Sequence, residues 1–133
     1  MPVHHERAER GAERAATPIS GLSGLEVRSK LWIERDGEVV LSDWRLALLE
    51  AVDRTGSLTR AADELGVPYR TAWQRRKESE ERLGFRLVDS HSGGSEGGSS
   101  VLTEQARDLL RRYRHLTDGL EELVDRRFKQ AFG

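Results

Sequence analysis

Arg70 and Gln74 stand four residues apart in a stretch, Pro68 to Lys77, that holds four cations (Arg70, Arg75, Arg76 and Lys77) and no acid. On a helix, side chains four apart share one face. A guanidinium fork and a carboxamide are the groups that bond guanine and adenine edges in pairs of hydrogen bonds. The chemistry these residues could do is recognition rather than bond-breaking. Arg70 and Gln74 are the candidate base readers, while Ser57, Thr59, Tyr69, Thr71, Arg75 and Lys77 have hydroxyl or cationic ends suited to phosphates. Trp73 divides between a core position and the edge of the bound nucleic acid, since large aromatics serve both.

Other chemistries find no foothold. The chain has no cysteine, which excludes disulfides, thiolate metal sites and cysteine nucleophiles. His4 and His5 lie far from His91 and His115, which argues against a metal site. The run Gly93-Gly94-Ser95-Glu96-Gly97-Gly98-Ser99-Ser100 lacks the lysine of a phosphate-cradling loop and the spacing of a dinucleotide fingerprint. Carboxylates are scattered along amphipathic stretches. The expectation is a protein that is not an enzyme and takes no cofactor. No apolar run reaches the roughly 18 residues of a membrane span, so a cytoplasmic, non-membrane protein is expected. The net charge of −1 over 133 residues does not by itself mark a nucleic-acid binder; the positive charge is local.

The elements that must position these residues follow from local signals. Residues 1–23 are rich in Ala, Arg, Glu, Gly and Ser with cancelling charges, the composition of a disordered arm. Asp36-Gly37 between Leu25–Ile33 and Glu38–Leu41 signals a hairpin. Ser42 or Asp43 can cap a helix bearing Leu46, Leu49 and Val52, ended by Thr55-Gly56. Ser57 caps a second helix through Leu65. Gly66 allows a left-handed turn, and Pro68 opens a third helix that Gly84 stops. Ala61 and Ala62 let the second and third helices cross closely, with Leu65 and Val67 filling the crossing. Phe85–Val88 reads as a strand with Val101-Leu102 as its return partner. From Thr103 a long helix carries Leu109, Tyr113, Leu116, Leu120 and Leu123 at spacings of four and three.

Gly56-Ser57-Leu58-Thr59, Ala61-Ala62, Leu65-Gly66-Val67 and Tyr69-Arg70-Thr71-Ala72-Trp73 resemble the N-terminal domain of ModE-type molybdate-responsive regulators, itself similar to the winged domain of LysR-type regulators. Glu80–Val88 resembles the end of that family's recognition helix and the root of its wing, and the paired glycines Gly93, Gly94, Gly97 and Gly98 before Val101-Leu102-Thr103 resemble its wing. The resemblance spans about residues 25–115. Two departures stand out: Arg76 and Ser79 where the family's third helix is usually apolar, and a wing with Asp89, His91 and Glu96 in place of a basic cluster.

The expected architecture is mainly α with small β elements: a winged helix-turn-helix with a long C-terminal dimerisation helix. It divides into an arm (1–23), a hairpin plus winged helix-turn-helix (24–102) and the dimerisation helix (103–133). The expected function is sequence-specific binding of double-stranded DNA by a transcriptional regulator, with the recognition helix at about 68–83 in the major groove and the wing at 89–102 beside the backbone. The paired glycines would contact DNA through the wing. Leu109, Tyr113, Leu116, Leu120 and Leu123 would join a homodimer, as the resemblance also implies. The competing reading is a winged-helix protein–protein interaction module without DNA readout. In the resembled family the oxyanion sits in small β-rich modules after the DNA-binding domain, and the sequence stops at Gly133 in an apparent helix, so no molybdate is expected to be bound by this chain.

Overall fold

A computed structural model describes residues 19–91 and 99–133. The wing glycines Gly93, Gly94, Gly97 and Gly98 and most of the arm fall outside the described residues. The described residues of Lys30–Leu116 form one compact unit; the described flanking residues, 19–29 and 117–133, belong to another.

In the first unit, β1 (Trp32–Arg35) and β2 (Glu38–Ser42) make an antiparallel hairpin. Asp36 and Gly37 both have positive φ, 53° and 81°, the turn whose twist matches two right-twisted strands. The register shifts between Ile33 and Glu34, and the irregularity lets the consecutive residues Val40 and Leu41 both reach the core. Trp32 pairs with Ser42, the cap of the next helix. Residues 25–31 therefore have no facing strand, and the hairpin is shorter than its apolar pattern suggests.

Helix α1 (Asp43–Thr55) starts where the Ser42 hydroxyl accepts the Arg45 N–H at 3.3 Å, and it ends at Gly56 in the left-handed region. Its inward face is Leu48, Leu49, Ala51 and Val52, with Leu46 half-buried. Helix α2 (Leu58–Leu65) is capped by Ser57 through the Arg60 N–H at 3.1 Å and stopped by Gly66. Helix α3 (Tyr69–Leu83) begins after Pro68, whose carbonyl accepts from Thr71 and Ala72, and ends at Gly84. Strands β3 (Val88–His91) and β4 (Ser99–Leu102) pair antiparallel as the wing. The strand expected at Phe85–Val88 thus begins only at Val88.

Helix α4 (Glu104–Thr117) is started by Thr103, whose hydroxyl accepts from the Ala106 N–H and donates to the Arg86 carbonyl. Ala106, Leu110 and Tyr113 are buried in the unit's core and Leu109 packs against it. This corrects the expected interface stripe. Tyr113 is a core residue, and Leu109 is partly buried against that core. The Tyr113 hydroxyl reaches the Leu31 carbonyl at 3.1 Å and Asp43 Oδ1 at 2.9 Å. Burial, the bond to Asp43 and that residue's charge push its phenol up to about 12. A raised pKa favours the neutral phenol in the fold, so its contribution is intact below the unfolded value of about 10 and is lost as pH rises toward 12. Tyr113→Phe is expected to cost about 1–2 kcal/mol near neutrality and to remove that alkaline loss. Urea unfolding at pH 7 and pH 11 checks both effects, and an unchanged alkaline slope would count against the assignment.

In the second unit, the helix expected to run from Thr103 to the end is present as two segments. Helix α5 (Leu120–Phe132) starts after Gly119, whose φ of 75° interrupts the helical path following Thr117. Leu120, Leu123, Val124 and Phe128 share its less exposed side, and Phe128 stacks on Phe132 with ring centroids 4.9 Å apart.

Candidate nucleic-acid interface

Helices α2 and α3 approach closely because Ala61, Ala62 and Ala72 are all essentially inaccessible and carry only methyl groups. Leu65 and Val67 pack against the core at the crossing, and the Val67 N–H closes on the Ala62 carbonyl at 3.1 Å. With Ala72, Ser79 and Leu83 turned inward, the opposite stripe of α3 faces solvent. Arg70, Trp73, Gln74 and Lys77 are exposed there together with Tyr69, and they line a groove of about 670 Å³ whose remaining described walls are Glu78 and Glu81. Trp73 keeps 39% of its surface, so it belongs to this face and not to the core. Lys77 Nζ and Arg76 Cζ lie 5.5 and 5.6 Å from its ring centroid, within cation–π range.

The groove is charge-balanced: Arg70 and Lys77 face Glu78 and Glu81. Lys77 Nζ sits 3.4 Å from Glu81. Among the described residues Arg70, in the first turn, makes no ion pair, and a helix entering the major groove presents that end to base edges. Thr59 is exposed on α2; Thr71 is half-buried; Ser57 is half-buried and engaged as the α2 cap.

Arg75 sits apart from the reading groove. Its guanidinium is 3.3 Å from Glu78, and its backbone carbonyl accepts from Arg45 at 2.8 Å. It lines a different groove with Lys30, Trp32, Val39, Ser42, Trp44 and Arg45.

Sequence reasoning missed two polar clusters behind the reading face. Arg45, its side chain only 13% exposed, donates to the buried Ser79 hydroxyl at 2.8 Å and to Glu78 at 3.1 Å. Burial would push the Glu78 carboxyl up, but the Arg45 hydrogen bond and the charges of Arg75, Arg45 and Arg82 outweigh it and hold the carboxyl below its ordinary range. Glu80 forms the second cluster. One oxygen takes Arg76 Nη1 at 2.6 Å, and the other takes the backbone N–H groups of Leu87 and Val88 at 2.8 and 3.1 Å. Thus the two polar departures from an apolar third helix, Arg76 and Ser79, are each matched by a charged partner. Arg76 Nε is the one buried side-chain atom without a hydrogen-bond partner among the described residues. The signal available in the sequence was the spacing Arg75/Glu78 and Arg76/Glu80, the i,i+3 and i,i+4 positions of helical ion pairs.

The wing is tied to the helices by backbone bonds: the Ser100 N–H meets the Gly56 carbonyl at 2.8 Å and the Thr103 N–H meets Leu87 at 3.0 Å. Asp89 pairs with Arg86 at 3.4 Å. Among the described residues, no group of three or more His, Cys, Asp or Glu is placed to hold a metal ion, and no helix is long and apolar enough to cross a membrane.

Two crossed helices with a projecting third, closed by a two-stranded wing, define a winged helix-turn-helix protein. Residues 44–107 match the model of the bacterial regulatory helix-turn-helix protein, LysR family, to which this part of the chain is similar. The chain is 33% identical over 98 residues to the molybdenum transport protein ModE of Azotobacter vinelandii, covering 74% of this chain and 36% of that protein. It is 35% identical over 110 residues to the molybdenum-pterin-binding protein MopB of Rhodobacter capsulatus, covering 83% and 40%. Against the DNA-binding transcriptional dual regulator ModE of Escherichia coli K12 it is 32% identical over 69 residues, covering 52% and 26%. The chain therefore spans well under half the length of these relatives. Two solved structures share the fold: a CbnR DBD–DNA complex (TM-score 0.51, 23% identity, 66% of this chain and 95% of that one) and a BenM DBD/catB site 1 DNA complex (TM-score 0.51, 22% identity, 68% and 94%).

Proposed function

We propose that this chain binds double-stranded DNA sequence-specifically as a transcriptional regulator, with the N-terminal half of α3 in the major groove and the wing beside the backbone. The observation that carries the reading is the exposed stripe of α3, where Tyr69, Arg70, Trp73, Gln74 and Lys77 line one groove. Arg70 and Gln74 read bases; Tyr69, Thr59, Thr71 and Lys77 meet phosphates. The ModE relatives, one of them described as a DNA-binding transcriptional dual regulator, support it. The protein would act in the bacterial cytoplasm, where the chromosome is, and the reading assigns it no catalytic step.

The reading includes a homodimer. Leu116 is 50% exposed at the end of α4, and α5 presents Leu120 and Leu123 on its apolar side. Burial of such side chains against a second copy is the ordinary outcome for a leucine-rich helical face. Two copies would set their recognition helices about one DNA turn, ~34 Å, apart.

Selection from a pool of randomised duplexes at several salt concentrations tests the function. Enrichment of an inverted repeat is expected, with log affinity falling linearly against log salt by about 0.9 per phosphate contact. A flat salt dependence with no enriched sequence would leave the protein-association alternative standing. Sedimentation of the unaltered chain and of the Leu116→Glu, Leu120→Glu double variant tests the dimer: dimer for the first and monomer for the second are expected.

A further inference from the structure

The β1–β2 hairpin lies along α3 with a defined direction. At its turn end, Arg35 donates to the carbonyls of Arg82 and Leu83 at 3.0 and 3.1 Å, and Arg82 returns a bond to the Val39 carbonyl at 2.7 Å and pairs with Glu38 at 2.9 Å. At its open end, Lys30, Trp32 and Ser42 share a groove with Arg75, seven residues earlier on α3. Seven residues are about 10 Å of helix. The open end of the hairpin thus points toward the half of α3 that carries Tyr69, Arg70 and Gln74.

That groove, about 430 Å³, is lined by Lys30, Arg45 and Arg75 and by two indole rings, with no acid among its described lining residues. Arg45 and Arg75 share the single carboxylate of Glu78, two positive charges against one negative. Lys30 is exposed and forms no ion pair among the described residues. The reading groove, by contrast, carries equal numbers of cations and acids. Among the residues lining the two grooves the excess of positive charge is on the hairpin side, with one carboxylate, Glu34, beside it on the Trp32 indole N–H at 2.7 Å.

The geometry points to the open end of the hairpin as a second DNA contact, in which Lys30 and Arg75 grip backbone phosphates on the wall of the major groove that α3 enters and Trp32, 46% exposed, covers the adjoining sugar. The inference rests on the reading of α3 as the recognition helix. It assigns phosphate affinity to Lys30, in the segment that leads into β1 and outside the helix-turn-helix and the wing, together with Arg75 on the hairpin side of α3. A polyanion is the occupant that complements the charge, and a duplex is the polyanion α3 would already hold in reach.

The experiment measures binding of the unaltered chain, Lys30→Ala, Lys30→Glu and Arg70→Ala to the selected duplex and to a scrambled one across a salt series. Lys30→Ala is expected to weaken both duplexes by the same several-fold factor and to lower the salt slope by about 0.9, one phosphate contact. Lys30→Glu should weaken both further, and the preference between duplexes should stay intact. Arg70→Ala should lose the preference instead. Hydroxyl-radical footprints should show sugars protected by the unaltered chain and exposed in Lys30→Glu. If Lys30→Glu bound both duplexes with unaltered affinity and slope while Arg70→Ala still lost preference, the hairpin contact would be wrong and the α3 reading would stand. If the unaltered chain bound no duplex at any salt concentration, both would fall.

Discussion

Glu80→Ala is expected to destabilise the winged unit by about 3 kcal/mol or more, the cost of stripping the partner from a largely buried charge. The Glu80 and Arg76 side chains are 12% and 15% exposed, so solvent cannot replace the lost pairing cheaply. The truncation also orphans the N–H groups of Leu87 and Val88, which the carboxylate holds at 2.8 and 3.1 Å. Each buried donor left unmade adds to the penalty. Glu80→Gln, which keeps an acceptor but loses the charge, should fall between the two. Arg76→Leu should also destabilise, though less than Glu80→Ala, because it leaves the largely buried Glu80 carboxylate without its cation while the N–H groups of Leu87 and Val88 still hold it. Urea unfolding followed by circular dichroism gives the order. A loss under about 0.5 kcal/mol for Glu80→Ala, the size of an ordinary surface substitution, would mean that this carboxylate does not hold the root of the wing.

On DNA, the largest effect is expected from Arg70→Ala. Losing a bidentate contact to one base should cost about 1–3 kcal/mol in discrimination at that position, roughly 5- to 150-fold, with little change at the others. Glu81→Gln should act in the opposite sense. It removes a negative charge from the reading groove and frees Lys77, whose ammonium lies 3.4 Å away. Affinity should therefore rise for every sequence alike, most at low salt, where charge repulsion is least screened. Competition among duplexes altered at single positions separates the two outcomes. Equal loss by Arg70→Ala across all sequences would reassign Arg70 from base reading to phosphate binding.

Much of the scaffold behind these predictions was legible because its signals are local. Ser42, Ser57, Gly56, Gly66 and Gly84 each act on backbone groups within four residues, and each caps or stops the helix that the sequence pattern assigns to it. The Asp36-Gly37 turn is likewise a property of two adjacent residues. The exposure of Arg70, Gln74 and Lys77 followed from helical periodicity once Ala72 was taken as inward.

Other placements depended on residues far apart in the chain. The stripe of α4 read as one apolar face, yet Tyr113 serves the core, because its hydroxyl meets Leu31 and Asp43 more than 60 positions away. Arg75 read as one more cation of the recognition helix, but Arg45 and Glu78 hold it beside the hairpin.

The amino-acid sequence alone determined the order of elements, the helix-turn-helix and which side of α3 faces outward, since caps, turns and the 3.6-residue period act over one helical turn. Only the tertiary structure decided how two polar residues could occupy an apolar helix face. A buried charge is tolerated when it is paired: Arg76 finds Glu80 one turn along α3, but only the fold brings Arg45 to Ser79 and the root of the wing to Glu80. Arg45 reaches Ser79 across 34 residues and Glu80 reaches forward to Leu87, and neither approach leaves a periodic mark in the sequence.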